Sequence, residues 1–81
     1  MHDGRYQKFV AELVEYRKKH GVSQQVLAKR VNLLQSDISK IERLERRIDV
    51  LEAILWLQAV GERSPAKAIA KIVNKIRGYA S

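Results

Sequence analysis

The chain has no cysteine, so it has no disulfide framework and no zinc-finger spacing. A reducing, cytosolic setting is the natural reading. Proline occurs once, at 65, and glycine only at 4, 21, 61 and 78, so little interrupts helix. No apolar run approaches the roughly 18 to 20 residues that span a bilayer. The N-terminal segment MHDGRYQKF is polar and does not read as a signal peptide. Acidic residues are in the minority. Nine Asp and Glu stand against sixteen Lys and Arg, giving a formal charge of +7. On 81 residues, enough for a single domain, that balance favours a polyanionic partner, with a merely solvated basic surface as the alternative. No Ser/His/Asp set, glycine-rich phosphate loop or carboxylate pair suggests catalysis. His2 and His20 lack metal-ligand neighbours, so neither a metal nor a cofactor is expected.

What remains is helical. Phe9, Val10, Leu13, Val14 and Tyr16 form the apolar stripe of a first helix over about 5–20. Asp3 can cap its start, and Gly21 supplies a left-handed residue past its basic end. Ser23 can cap a second helix over about 24–31, with Leu27, Ala28 and Val31 inward. Asn32 suits a left-handed turn. A third helix over about 35–43 turns Ile38 and Ile41 inward. Asp49 and Glu52 have capping-box spacing and start a fourth helix, about 50–60, that is apolar nearly all round. Gly61 closes it. After a short polar loop at 61–64, Ser64 and Pro65 open a fifth helix that ends near 77. There is no strand signal and no internal repeat. The expected fold is a compact all-α, five-helix domain over 1–81.

The segment 23–43, SQQVLAKRVNLLQSDISKIER, reads as two short amphipathic helices joined by a tight turn. The second carries Gln35, Ser36, Lys40 and Arg43 on its polar side. A glutamine amide both donates and accepts, so it can pair twice with adenine N6 and N7, and lysine can donate to guanine O6 and N7. Ser36 is short enough for a close approach to bases. Asp37 can accept from cytosine N4, but a carboxylate near phosphates is repelled. Stabilising the positive end of the helix is its stronger reading. Lys29, Arg46 and Arg47 add cations near the same face. An ordinary solvated helix face is the bland alternative for these residues.

Leu13, Arg17, Gly21, Ser23, Gln24, Leu27, Ala28, Gln35, Ser36, Ile38, Ser39, Ile41, Glu42 and Arg43, in this order and spacing, resemble the lambda-repressor-like helix-turn-helix domains of phage repressors and related bacterial regulators. The run Glu45-Arg46-Arg47-Ile48-Asp49-Val50, with Glu52, resembles one bacterial branch. The resemblance covers roughly residues 5–61. It implies that Gln24 touches a phosphate at the start of the second helix. It implies that Gln35, Ser36 and Lys40 face base edges and that Arg43 holds the DNA backbone; Asp37, Ser39, Arg46 and Arg47, near the groove, complete the expected DNA-binding set. It implies an ion pair between Arg17 and Glu42. Three positions depart from the family pattern. Asn32 replaces a turn glycine, Leu34 a Ser or Thr cap, and Leu44 a helix-ending glycine. Because Ile41, Leu44 and Ile48 stand nearly in register, continuation of the third helix past Arg43 is left open.

On the fifth helix Ala66, Ile69, Ile72, Val73 and Ile76 form an apolar stripe, and Lys67, Lys71 and Lys75 recur on another face. Leu51, Leu55, Ile69, Ile72, Val73 and Ile76 are the expected contacts of a homodimer. A basic helix lying on a membrane is the alternative, but only Tyr79, at its end, could anchor it. Trp56 is expected in the core or the dimer contact. The resulting expectation is a cytoplasmic, non-enzymatic regulator, bacterial or phage-encoded, that binds double-stranded DNA as a dimer. Alternatives are an antitoxin or restriction–modification controller with the same binding mode and a helical adaptor that binds protein; a partner protein such as a toxin or anti-repressor is left open. RNA is a weaker partner, because the deep, narrow A-form groove excludes such a helix.

Overall fold

Four of the helix starts are built from short polar side chains immediately before apolar stripes. The computed structural model describes residues 3–80, with the side chains of residues 79 and 80, and all of His2, outside that description. It contains α1 (Gly4–Lys19), α2 (Gln24–Val31), α3 (Gln35–Glu42), α4 (Val50–Val60) and α5 (Pro65–Ala80). Asp3 Oδ1 accepts from the Arg5 amide at 2.7 Å, and Ser23 Oγ accepts from the Val26 amide at 3.1 Å. Asp49 and Glu52 exchange both bonds of a capping box, at 2.7 and 3.2 Å. Ser64 Oγ accepts from the Lys67 amide at 3.3 Å.

The ends of the first four helices share one device. Each terminates in a residue with positive φ, namely Gly21, Asn32, Leu44 and Gly61. At each end the amide of that residue and the next one donate back to the last turn. This is the Schellman arrangement, which satisfies carbonyls that the helix leaves free. At Leu44 (φ 65°) the bonds run from Leu44 N to Ile41 O at 3.0 Å and from Glu45 N to Lys40 O at 2.7 Å. Helix α3 therefore stops at Glu42 and does not run on past Arg43. The left-handed conformation costs a leucine roughly 1 to 2 kcal/mol. The register of Ile41 and Leu44 suggested continuation because periodicity is blind to such a turn.

The core joins all five helices. Leu13, Leu27, Ile38, Ile41, Trp56, Leu57 and Ile72 are fully buried. Full burial of such side chains stabilises by about 1.5 to 3 kcal/mol each. Trp56 lies at the centre, and its Nε1 donates to the Leu13 carbonyl at 3.0 Å, so its one polar atom is satisfied. Helix α1 packs on α3, α4 and α5, while α2 packs on α3 and α4. Val31 packs against this core but is only half-buried.

Helix α5 differs most from expectation. It continues through Gly78 to Ala80, because a glycine inside a helix lowers stability without forcing a stop. Ile72 is wholly enclosed by the core, so it offers no surface to a second subunit and its assignment as a dimer contact is corrected. Ile69 and Ile76 are half-buried against the same core, and Val73 is exposed. A 3.6-residue stripe cannot tell the side of a helix that faces its own core from the side that faces a partner. Among the described residues, no helix is long and apolar enough to cross a membrane.

Candidate nucleic-acid interface

Helices α2 and α3 meet through Leu27 and Ala28 on one side and Ile38 and Ile41 on the other, all buried. That packing leaves the opposite face of α3 in solvent. Gln35, Ser36, Lys40 and Arg43 are exposed along it, while Asp37 and Ser39 are half-buried at its edges. Residues at 36, 40 and 43 follow i, i+4, i+7 spacing and so share one side of the helix.

A polar network fixes this face to the rest of the molecule. Arg17 on α1 meets Glu42 on α3 at two points, Nε to Oε2 at 2.6 Å and Nη2 to Oε1 at 2.9 Å. Its remaining Nη1 donates to the Val22 carbonyl at 2.9 Å. Both side chains are little more than a tenth exposed, so this is no solvent-screened surface pair. Glu42 Oε1 also accepts from Gln24 Nε2 at 2.9 Å, and Gln24 Oε1 accepts from Gln35 Nε2 at 3.5 Å. The chain Val22–Arg17–Glu42–Gln24–Gln35 thus runs from the first helix to the exposed tip of the third. With its donor engaged by Glu42, Gln24 presents its carbonyl to Gln35, and the amide of Gln35 is oriented in turn.

Five residues placed with the DNA contacts, Asp37, Ser39, Arg43, Arg46 and Arg47, have structural partners. Asp37 Oδ2 accepts from the Leu34 amide at 3.1 Å, which supplies half a capping box where Leu34 has no side-chain cap. Arg46 meets Glu52 through both guanidinium ends, at 3.2 and 2.9 Å, with Asp37 at 3.9 Å. It ties the start of α3 to the start of α4. Its hydrogen bonds hold the Glu52 carboxyl below the ordinary range and raise the Arg46 guanidinium. Arg43 pairs with Glu45 at 3.0 Å and also donates to Ser39 Oγ, and this pairing lowers the Glu45 carboxyl. Arg47 stacks over the Tyr6 ring, 4.2 Å from its centroid, while the Tyr6 hydroxyl accepts from the Ile48 amide at 3.1 Å. Tyr6 therefore anchors the loop after α3 from two directions. Among the described residues, Lys29 and Lys40 are cations of this face with no ion-pair partner.

Two short helices pack together, the second with an exposed amide, hydroxyl and lysine. A helix-turn-helix family model matches residues 13–67. The chain belongs to the lambda-repressor-like helix-turn-helix family. An XRE-family like protein from Pseudomonas syringae pv. tomato str. DC3000 has a similar structure, with a TM-score of 0.80 and 35% sequence identity. The match covers 88% of this chain and 85% of that one. No curated protein matches the sequence.

In helix-turn-helix domains the second helix of the motif enters the major groove and the first crosses the DNA backbone; α3 and α2 hold those two places in the motif. DNA binding is thus the activity that the family supports, and Gln35, Ser36, Lys40 and Arg43 stand together on the exposed side of α3. Two supports of the scaffold were not singled out in the sequence. Tyr6 is one. The other is Glu12, buried on α1, which accepts from Lys75 on α5 at 2.9 Å and pairs with Lys8 at 3.3 Å. Burial pushes the Glu12 carboxyl up, but the two lysines outweigh it and the net shift is downward. The i, i+4 spacing of Lys8 and Glu12 is visible in the sequence, whereas the partnership with Lys75 spans the whole chain. His20 Nε2 lies 2.5 Å from Glu62 Oε2, which joins the end of α1 to the α4–α5 loop.

Proposed function

We propose that the protein is a sequence-specific transcription regulator that acts as a dimeric repressor on a palindromic operator, in the cytoplasm of a bacterium. The observation that carries this reading is the exposed Gln35, Ser36 and Lys40 set, held in register by the Arg17–Glu42–Gln24 network. Gln35 and Lys40 read base edges, and Ser36 occupies the closest approach. Lys29, Arg43 and Arg47 contact phosphates, with Gln24 at the first turn of α2. Arg46 and Asp37 act mainly by holding α3 in place. Ser39 orients Arg43. An antitoxin or a restriction–modification controller would use the same contacts.

A single reading helix contacts few base pairs, and a second copy across a palindrome doubles them. Val50 and Leu51 are 75% and 65% exposed, and Ile54, Leu55 and Val73 are partly exposed. This apolar surplus on α4 and α5 supports a homodimer through Leu51, Leu55 and Val73, with Ile69 and Ile76 at its edge. Selection from a random duplex pool tests the whole reading. The expected result is a duplex of dyad symmetry whose affinity falls by about 10³ or more between 50 and 200 mM salt, as release of counterions from about 6 to 10 phosphates requires. Selected duplexes bound no better than random ones would contradict it.

A further inference from the structure

Leu34 is 70% exposed at the N-cap of α3, and Val26 on α2 is 40% exposed. The two line one groove of ≈ 390 Å³, together with Leu33, Lys29 and Gln35. A Ser or Asp at position 34 would satisfy a free amide of the first turn. Leucine makes no such bond, and the Leu34 amide is served by Asp37 instead. The fold therefore gains little from Leu34, whose side chain stands in solvent next to the foremost base-reading residue.

We infer that Leu34 and Val26 form an apolar cup for the C5-methyl group of a pyrimidine in the major groove, which makes Leu34 a specificity-determining residue. The inference rests on the DNA-binding reading above. The groove is continuous with the reading face, because Gln35 belongs to both. The exposed Lys29 lines it as well, and the chain carries +7, so a polyanion suits it better than an apolar peptide. In the major groove the pyrimidine methyl is the one apolar feature a base pair offers, and apolar side chains read it by contact. A glutamine that pairs with adenine at position 35 places a thymine on that base pair or within reach beside it. Thymine and 5-methylcytosine carry the same group, and the two sources separate by experiment.

In a duplex selected by the intact protein, each thymine is replaced in turn by deoxyuridine, which removes only the methyl. At one thymine or more in each half-site the affinity should fall about fourfold, the effect of burying one such carbon. The Leu34→Ala protein should bind the two duplexes equally well while melting at the parent temperature, since Leu34 lies outside the core. In a second arm cytosines are replaced by 5-methylcytosine. A comparable gain that disappears in Leu34→Ala would place the recognised methyl on a methylated cytosine. If both scans are flat while the selected duplex is still preferred over random DNA, the methyl cup is wrong and the DNA-binding reading stands. Equal discrimination by the parent and Leu34→Ala would also overturn it, by locating methyl recognition elsewhere. No preference for any duplex would overturn both.

Discussion

Gln24, at the start of α2, and Glu42, at the end of α3, are joined by a 2.9 Å hydrogen bond from the Gln24 amide to Glu42 Oε1. The same oxygen takes Nη2 of Arg17, also at 2.9 Å. Glu42 therefore joins α1, α2 and α3 at one carboxylate. Its charge is neutralised from α1, and its remaining capacity fixes the side chain that orients Gln35.

Removal of Arg17 should expose this coupling. Arg17→Ala leaves the Glu42 carboxylate little exposed and without its cation, at an expected cost of about 3 to 5 kcal/mol. Arg17→Lys should recover only part, because an ammonium cannot form the two-point pair. Thermal or urea melting checks both. A parent-like melting curve for Arg17→Ala would show that the pair contributes nothing to the fold.

Acid should weaken the scaffold through Glu12 and Glu52. Both carboxyls have folded values below the ordinary 4.5, Glu12 through Lys75 and Lys8 acting against burial and Glu52 through Arg46. A depressed carboxyl contributes stability that is present above its unfolded value and lost as pH falls through the folded one. The melting temperature should hold steady near neutrality and drop below about pH 4 to 5. In Glu12→Gln the neutral-pH value should be lower and the acid drop shallower. Parallel curves for the parent and Glu12→Gln would contradict this role.

The apolar surplus on α4 and α5 predicts its own outcome. Leu51→Asp or Val73→Asp, both at exposed positions, should shift a homodimer to monomer and weaken operator binding far more than non-specific binding. Ile72→Asp should instead unfold the chain, since that side chain is fully buried. Light scattering at tens of micromolar, with circular dichroism to monitor folding, separates the two. A monomeric parent protein would confine dimerisation to the DNA.

Much of this architecture was legible in the residues. Helix starts were clear because Asp3, Ser23, Asp49 and Ser64 act on amides only two or three positions away. Gly21, Asn32 and Gly61 marked ends for the same local reason. The end at Leu44 was not legible, because a leucine in a left-handed turn contradicts local preference. The contacts of the next few residues impose it: Arg46 on Glu52, Arg47 on Tyr6, and Ile48 in the core. At the candidate site, the helical pattern put Gln35, Ser36 and Lys40 on the exposed side of α3, and the ordered motif paired Arg17 with Glu42. It could not show that Gln24 is held by Glu42, or that Arg46 is claimed by two carboxylates. Those depend on how α2, α3 and α4 meet. The inward turn of Ile72 likewise depends on where α5 lies against α1 and α4.

The central claim is that the exposed face of α3 reads base edges. The most direct measurement is a base-by-base affinity profile on a selected duplex, with each pair substituted in turn, for the parent, Gln35→Ala, Lys40→Ala and Arg43→Ala. Gln35→Ala and Lys40→Ala should each cost about 1 to 3 kcal/mol at the operator and flatten the profile at a separate position. Arg43→Ala should lower the whole profile evenly, as loss of a phosphate contact does. Equal, sequence-independent losses for all three variants, with every position of the profile still discriminated as by the parent, would show that α3 is not the reading helix.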